Sequence, residues 1–475
     1  MLALAGLEFS GLGHYDPFYD SGVYLESARM IARGYGAYRR VFSSQPPLWL
    51  PLVRLAFFLA GENFFAGQLL VTAASLLSVA AVMAAVAQLQ GRGCAVLAAI
   101  LMALAPTRLY WSHAVIAEGP SAAFAAAAIA LAARYYRVHH KVWVVLAAIA
   151  ITGSMLTKLS GLYSLPAVAM LVAAGSAAQA QSPRARSGIL ATDILTMLAA
   201  AGGVILLFAM VRDPLLVWDQ VIRFHLKARI SDPELDALKY WRADVLLWAI
   251  APFALLSTLG GWGPAAILVW LAGNLTGLLQ QQPLFSHHLI TIIPAFAAAT
   301  AIGLGRLWEW QRRGWSGAPT AAGRRLALAS AAAVVMGVTT LLLAQAYADL
   351  GLRRKMALRL QAAKTDTLAA AHLRKLTRAN DYVLTDAPGI AFLADRDIPP
   401  GLTDTSFKRI STQYLSASEI IAECEKFDVK AALLWTGRLS SMPGVMEWIR
   451  NRFPQRQSFG IHRDLYFRTA ELTQE

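Results

Sequence analysis

The chain has 475 residues, of which 57% are hydrophobic and only 15% are charged, and its formal net charge is +14. About a quarter of the residues of an average soluble protein are charged, so this composition excludes an ordinary soluble protein and indicates a polytopic membrane protein. The positive charge fits cytoplasmic loops and anionic lipid headgroups. Nucleic acid is not an expected partner, because no basic and aromatic soluble module is present.

The segment before the first long apolar run, "HYDPFYDSGVYLESARMIARGYGAYRRVFSSQPPLW", is polar and aromatic. Its spacing predicts an amphipathic helix that lies flat on the membrane and ends at Gly34. Asp20 stands at the start of this helix, where it is either a plain N-cap or a functional carboxylate. The stretch 47–61 predicts a second interfacial helix. The charged face comprises Glu26, Arg29 and Arg33, and the opposite apolar face Val23, Met30 and Ile31.

About ten later segments are long and apolar enough to cross a bilayer. Several of them are rich in alanine, which permits close helix packing. The start of the chain, "MLALAGLEFSGLG", is too short to span and has no signal-peptide pattern. The predicted spans are 65–90, 93–110, 120–136, 142–157, 159–175, 189–212, 243–260, 262–281, 287–307 and 326–347.

The distribution of lysine and arginine predicts the orientation of these spans, because short cytoplasmic loops are enriched in basic residues. Alternate loops carry nearly all of the basic residues, so the front loop, the loop 213–242 and the segment after 348 are expected on the external side. The cytoplasmic loops carry Arg92; Arg134, Arg137 and Lys141; Arg184 and Arg186; and Arg306, Arg312, Arg313, Arg324 and Arg325.

The composition changes after residue 348, where strand and helix patterns alternate. "DYVLTDAPGIAFLADRDIP" predicts a strand, a turn and a short helix. "SASEIIAECEKF" predicts a helix, "VKAALLWTG" a buried strand, and "QSFGIHRDLYFR" a hairpin. We therefore expect a membrane domain over 1–347, with an external loop over 14–61, and a small α/β domain over 348–475. No catalytic constellation is recognisable in the second domain.

The front loop carries a recurring order of residues, namely Asp20, Tyr24, Ala28-Arg29, Gly34, Tyr38, Phe42 and Pro46-Pro47-Leu48. In this order it resembles the first external loop of GT-C-type glycosyltransferases, in the branch of dolichyl-phosphate-mannose protein mannosyltransferases and bacterial lipid A glycosyltransferases. Two departures are Ser21, where many relatives have a second acid, and Gln45, where the lipid A aminoarabinose transferases have lysine. The family normally has a spanning helix before this loop, so we expect either that the start codon is placed too far downstream or that the loop is anchored without this helix.

The resemblance extends over roughly residues 15–305. "APTRLYWSHAVIAEGPSAAF" is similar to the second external loop, and Glu118 takes the place of its acidic residue. "LTKLSGLYSLP" matches a Thr-Lys-Gly turn through Lys158, and "HHLITIIPAFA" resembles a late helix that begins at His287 and His288.

The resemblance implies an inner-membrane enzyme that transfers one sugar from a polyprenyl-phosphate donor to a hydroxyl on the external face, with inversion. The acceptor is a glycolipid, a polysaccharide or a protein. Asp20 is then the catalytic base and Glu118 the second acid. The phosphate partners are drawn from Lys158, His287 and His288, and from Arg223 and His225 in "RFHLKARI".

Each of these residues also has a plain structural explanation. Glu118 can be an N-cap, Lys158 can snorkel to the interface, and the paired histidines can cap a helix. "RFHLKARI" can hold lipid headgroups. No cofactor is implied with certainty and no metal site is assigned, although Asp20 and Glu118 could share Mg²⁺ or Mn²⁺ if their loops meet. A flippase for lipid-linked sugars and a non-catalytic partner derived from such an enzyme are the alternative functions.

Overall fold

The computed structural model describes residues 8–9, 12–227, 244, 250–314, 354 and 357–468. Its first part is a bundle of apolar helices, and its last part is a small α/β unit. Within the described residues, four helices are long and apolar enough to cross a membrane by themselves: Phe64–Gln90, Leu159–Gln179, Pro183–Met210 and Trp262–Gln280. The chain is a multi-pass membrane protein of the predicted helical class. Further helices of this part are Trp49–Ala60, Arg92–Ala103, Pro106–Trp111, Glu118–Val138, Val142–Thr157, Pro214–Val217, Phe224–Lys227 and Ile293–Gly314, with 3-10 turns at Ala251–Gly260 and Ser286–Thr291.

The predicted span 93–110 is wrong as a single helix. The helix Arg92–Ala103 ends before Pro106, and Ala105 has an extended backbone with φ −81° and ψ 104°. A residue that precedes proline is disfavoured in the α region, so the chain turns there and starts the short helix Pro106–Trp111. The predicted span 326–347 and most of 243–249 lie outside the described residues.

The helices of the membrane part pack through small side chains. Ala126, Ala132 and Ala133 of the helix Glu118–Val138 are fully buried against their neighbours. Small residues at helix contacts allow backbones to approach closely, and this stabilises helix pairs in lipid, where the hydrophobic effect contributes little. The interfacial helix Trp49–Ala60 instead turns Phe58 outward, 85% exposed, as expected for a helix in contact with lipid.

The C-terminal unit is a four-stranded sheet flanked by helices, with the strand order β1-β2-β4-β3. β1 and β2 are parallel, and the other two pairs are antiparallel. The predicted strands, hairpin and Ser416-capped helix are all observed. The strands are β1 Val383–Thr385, β2 Ala431–Leu434, β3 Gln455–Gly460 and β4 Arg463–Phe467, and the helices are 357–376, Pro388–Leu393, Pro400–Leu402, Phe407–Ser411, Ala417–Lys426 and Pro443–Arg452.

The front helix, Tyr19–Ala32, forms as predicted and is followed by Gly34 at φ +98°. Most of its charged face is buried, and only Arg33, directly after the helix, is exposed, at 47%. Glu26 is fully buried and Arg29 is 2% exposed. Arg29 Nε donates to Glu62 Oε1 at 2.7 Å, and the Arg29 guanidinium lies 4.0 Å from the ring centre of Phe392 in the C-terminal unit. The polar face of this amphipathic helix therefore binds protein.

At Gly22 the backbone of the front helix lies directly against the backbone of the C-terminal unit. A Cβ at this position would lie 2.2 Å from the backbone nitrogen of Gly389 and 2.6 Å from its Cα. Both neighbouring atoms belong to the backbone, so no side-chain rotation could relieve the clash. The absence of a side chain at residue 22 thus sets how closely the two parts dock.

We predict that Gly22→Ala lowers the thermal unfolding midpoint of the detergent-solubilised protein, measured by tryptophan fluorescence. Forcing a methyl group into a packed contact typically costs about 1–3 kcal/mol. Gly203→Ala is the matched control, because a Cβ there meets nothing within 4 Å and alanine favours a helix over glycine. Equal midpoints for the two variants would contradict the packing argument.

Candidate functional site

A cavity of about 320 Å³ lies between the front helix, the ends of several membrane helices and the C-terminal unit. Its walls carry an unusual density of charged and titratable side chains. Most of the residues singled out from the sequence meet here, although they are far apart in the chain. These side chains are Asp20, Glu118, Lys158, His225, His287, His288, Asp404, Lys408 and Arg438.

Glu118 and Lys158 meet because two successive helices form an antiparallel hairpin. Glu118 is the first residue of the helix Glu118–Val138, and Lys158 follows the last residue of the helix Val142–Thr157. Antiparallel neighbours joined by a short loop place the start of one helix beside the end of the other. Lys158 Nζ lies 2.6 Å from Glu118 Oε1. This short ion pair means that Lys158 is not simply snorkelling to the interface.

His287 and His288 approach the same carboxylate from a 3-10 turn, Ser286–Thr291. Their Nε2 atoms lie 3.4 and 3.7 Å from Glu118 Oε1. One ligand atom from each of the three residues falls within 4.8 Å of the others, so the group could hold a metal ion. One carboxylate and two imidazoles suit Zn²⁺ better than Mg²⁺ or Mn²⁺. This group differs from the pair of Asp20 and Glu118 considered from the sequence, and an ion in it would compete with Lys158 for Oε1.

Asp20 lies in the first turn of the front helix and faces the cavity, but it is not the N-cap. Phe18 occupies that position, and no side chain caps the helix. Within the described residues the Asp20 carboxylate has no hydrogen bond or ion pair. Burial, followed by the nearby Glu118 and Asp404 carboxylates, raises the pKa of Asp20 to about 7.

Asp16, the other aspartate of the front loop, has hydrogen-bond and ion-pair partners in the protein. Its carboxylate accepts hydrogen bonds from Phe18 N at 3.2 Å and Ser21 Oγ at 3.0 Å, and it lies 3.7 Å from Arg359 Nη1. A carboxylate with this many partners fixes the loop. The contrast singles out Asp20 as the front-loop acid that is open to a ligand.

The C-terminal unit supplies three charged side chains that the sequence did not single out, Asp404, Lys408 and Arg438. Tyr19 OH donates to Asp404 Oδ1 at 3.3 Å, and the Arg438 guanidinium lies 3.8 Å from the centre of the Tyr19 ring. The sequence showed no recognisable catalytic constellation in this unit, yet these three side chains line the cavity. Its polar turn "GLTDTSFKR" was visible in the sequence, but nothing local showed that the turn faces the membrane part.

Of the two remaining predicted residues, His225 and Arg223, only one lines the cavity. His225 lines the cavity, and its Nδ1 lies 2.8 Å from Val221 O. Arg223 does not line it: its side chain is 61% exposed and pairs with Asp219 at 3.2 Å. Gln45, which replaces a lysine of the lipid A aminoarabinose transferases, also faces the cavity and donates to Tyr24 OH at 2.9 Å.

Residues 44–218 match the family model for dolichyl-phosphate-mannose-protein mannosyltransferase. No curated protein matches the chain by sequence. The structure is similar to the crystal structure of ArnT from Cupriavidus metallidurans in the apo state, with a TM-score of 0.64 at 16% identity over 98% of this chain and 96% of that chain.

The same ArnT bound to undecaprenyl phosphate gives a TM-score of 0.67 at 17% identity, over 100% of this chain and 98% of that chain. The archaeal oligosaccharyltransferase AglB from Archaeoglobus fulgidus, in complex with an inhibitory peptide and a dolichol-phosphate, gives 0.53 at 12% identity, over 100% and 74%. The family match and the shared fold confirm the predicted resemblance to GT-C glycosyltransferases.

We predict that Asp20→Asn stabilises the protein, and more strongly at pH 8 than at pH 5. The ordinary pKa of Asp is 3.8, and in the folded protein the pKa of Asp20 is about 7. The folded state therefore binds more protons between these values, and its stability falls as the pH rises through this window. Asn has no charge to desolvate, so its gain in thermal midpoint should be small near pH 4 and complete above pH 7. A loss of stability, or a gain that is independent of pH, would contradict this.

Proposed function

We propose that the chain is a membrane glycosyltransferase that moves one sugar from a polyprenyl-phosphate donor to a hydroxyl acceptor on the extracytoplasmic face. The observation that carries the proposal is the Asp20 carboxylate, which has no hydrogen bond or ion pair among the described residues and lines one cavity with Lys158, His287 and His288. A transfer reaction of this kind needs a base for the acceptor and positive or dipolar groups for the phosphate. Both are present in one enclosed site.

Asp20 is the base in this mechanism. As the acceptor oxygen forms a bond to the anomeric carbon, its proton passes to the Asp20 carboxylate. The bond from the anomeric carbon to the phosphate oxygen breaks in the same displacement, and its electron pair leaves with polyprenyl phosphate. Attack from the face opposite the phosphate inverts the anomeric centre. A base with a pKa near the working pH is efficient, since much of it is unprotonated while it still accepts a proton readily.

Glu118 holds the phosphate side of the cavity in place. Its ion pair with Lys158 fixes that ammonium at the end of the helix Val142–Thr157, and the imidazoles of His287 and His288 converge on the same oxygen. A carboxylate with these three neighbours is poorly placed to accept a proton from a second substrate. Glu118 is therefore a positioning residue, and the mechanism routes no step through a metal ion.

The polyprenyl carrier is supported by the relatives. Similar structures are ArnT bound to undecaprenyl phosphate and AglB in complex with a dolichol-phosphate. The membrane helices expose large apolar side chains such as Phe58 and Leu198, against which a lipid tail can lie while the phosphate reaches Lys158. The basic residues of the alternate loops support an external position of the cavity at the inner membrane.

Asp20→Asn is predicted to abolish transfer of a radiolabelled sugar from a polyprenyl-phosphate donor, by at least about a hundredfold as is typical when a general base is removed. The amide keeps the shape of the side chain, so expression and elution on size exclusion should stay unchanged. Asp428→Asn is the control, because Asp428 pairs with Lys430 and Arg452 on the surface of the C-terminal unit. Near-normal transfer by Asp20→Asn would rule out this role for Asp20.

The pH dependence of transfer gives a second test. Because the pKa of Asp20 is about 7, kcat/KM should fall about tenfold for each pH unit below that value as the base becomes protonated. Glu118 and Asp404 raise this pKa, and Lys158 and Arg438 oppose them. Removal of the Asp404 charge by Asp404→Asn should therefore move the acidic limb to lower pH. An acidic limb near pH 4 in the wild type would contradict the raised pKa.

A further inference from the structure

The ion pair between Glu118 and Lys158 leaves the cavity short of positive charge for a phosphate. Lys158 Nζ and Glu118 Oε1 are 2.6 Å apart and both side chains are largely buried, so together they add almost no net charge. A phosphodiester gains negative charge as its bond to the sugar breaks, and preorganised positive groups stabilise that charge. Lys158 could stabilise the phosphate charge only if its ion pair with Glu118 were broken.

Taken together, the other acidic and basic side chains of the cavity do not provide the missing positive charge either. Its walls hold as many carboxyl groups as basic side chains, so an incoming phosphate would bring a further negative charge beside Asp20. The Asp404 carboxylate accepts hydrogen bonds from Ser406 N and Tyr19 OH, at 2.8 and 3.3 Å. The carboxyl groups are Asp20, Glu118 and Asp404, and the cations are Lys158, Lys408 and Arg438. A cation without a protein partner is needed.

Lys408 meets this requirement. It lies in the short helix Phe407–Ser411 of the C-terminal unit and lines the cavity, and within the described residues its ammonium has no hydrogen bond or ion pair. Burial, and then the charge of Lys158, lowers the pKa of Lys408 to about 8, while Asp20 opposes this shift. Lys408 thus lines the same cavity as Asp20 and the ion pair of Glu118 and Lys158, and a donor phosphate would lie in that cavity.

Arg438 is the other basic residue that the C-terminal unit contributes to the cavity, and its side chain is fixed by an aromatic ring. Its guanidinium stacks on the Tyr19 ring at 3.8 Å, and Tyr19 is itself tied to Asp404. A stacked guanidinium is oriented by the ring and gains from its face. Arg438 is thus fixed at the front-helix side of the cavity, whereas Lys408 stays available to a ligand.

We propose that the C-terminal unit completes the donor site, and that Lys408 binds the phosphate of the polyprenyl donor directly. The inference rests on the proposed function and adds a donor-binding residue from a part of the chain outside the membrane helices. Lys408 stays an ammonium throughout. It neutralises the phosphate oxygens as the electron pair of the broken bond moves onto them, and it transfers no proton.

Binding of undecaprenyl phosphate to the full-length protein in detergent tests this without turnover. Lys408→Gln should weaken binding about ten- to a hundredfold, as expected when a charge-assisted hydrogen bond is lost, and Lys408→Arg should restore most of it. Lys375→Gln is the control, because Lys375 is exposed on the helix 357–376 and outside the cavity. Unchanged affinity in Lys408→Gln would overturn the proposal.

The alkaline side of the pH profile separates a charged role from a structural one. Wild-type kcat/KM for the donor should fall above pH 8 as Lys408 loses its proton, and Lys408→Arg should keep its activity there, because guanidinium stays charged. If kcat/KM of the Lys408→Arg variant still falls above pH 8, the role of Lys408 is overturned. The other titratable or charged groups that face the cavity are Tyr19, Asp20, Tyr24, Glu118, Lys158, His225, His287, His288, Asp404 and Arg438.

The two proposals fail in different ways. If the wild type binds undecaprenyl phosphate through Lys408 but transfers no sugar, the glycosyltransferase function fails and the phosphate site stands. If the wild type transfers sugar and Lys408→Gln does so with an unchanged KM for the donor, the function stands and the role of Lys408 fails.

Discussion

The docking of the front helix between the membrane helices and the C-terminal unit is the contact on which the rest of the site depends. Both long faces of this helix are buried, and Gly22 lets its backbone touch that of Gly389. The same helix carries Tyr19 and Asp20 into the cavity. The contact between the two glycines therefore determines the position of Tyr19 and Asp20 in the cavity, although neither glycine takes part in the chemistry.

The electrostatics of the cavity follow from that enclosure. A carboxylate that is held away from bulk water beside other carboxylates resists ionisation, and this is what raises the pKa of Asp20. The neighbouring Glu118 has the opposite surroundings, because Lys158 and two imidazoles converge on it. Two acids in one cavity are thus made chemically different by their partners, and this separates a proton acceptor from an anchoring group.

The sequence predicted those features that depend on local patterns or on the order of helices along the chain. The front helix could be located from its spacing and from Gly34. The meeting of Glu118 with Lys158 follows from a hairpin of two successive helices. The strands and the hairpin of the C-terminal unit were clear from their alternation.

What was missed depends on contacts between distant parts of the chain. The polar face of the front helix has the same pattern whether it faces water or protein, so its burial by the C-terminal unit could not be predicted. Lys408 and Arg438 follow Asp20 by several hundred residues in turns of ordinary composition. The helix break at Pro106 was different, because the proline was visible and the hydrophobic run outweighed it in the prediction.

The backbone contact between Gly22 and Gly389 has a consequence for how this protein can be re-engineered or can diverge. Where Gly22 meets Gly389 there is no side chain that could rotate to accommodate a new partner, so a C-terminal unit grafted from a relative would need a compatible front helix. The front loop and the C-terminal unit are far apart in the chain but in contact in the structure. They would therefore have to be replaced together, while the membrane helices between them could be kept.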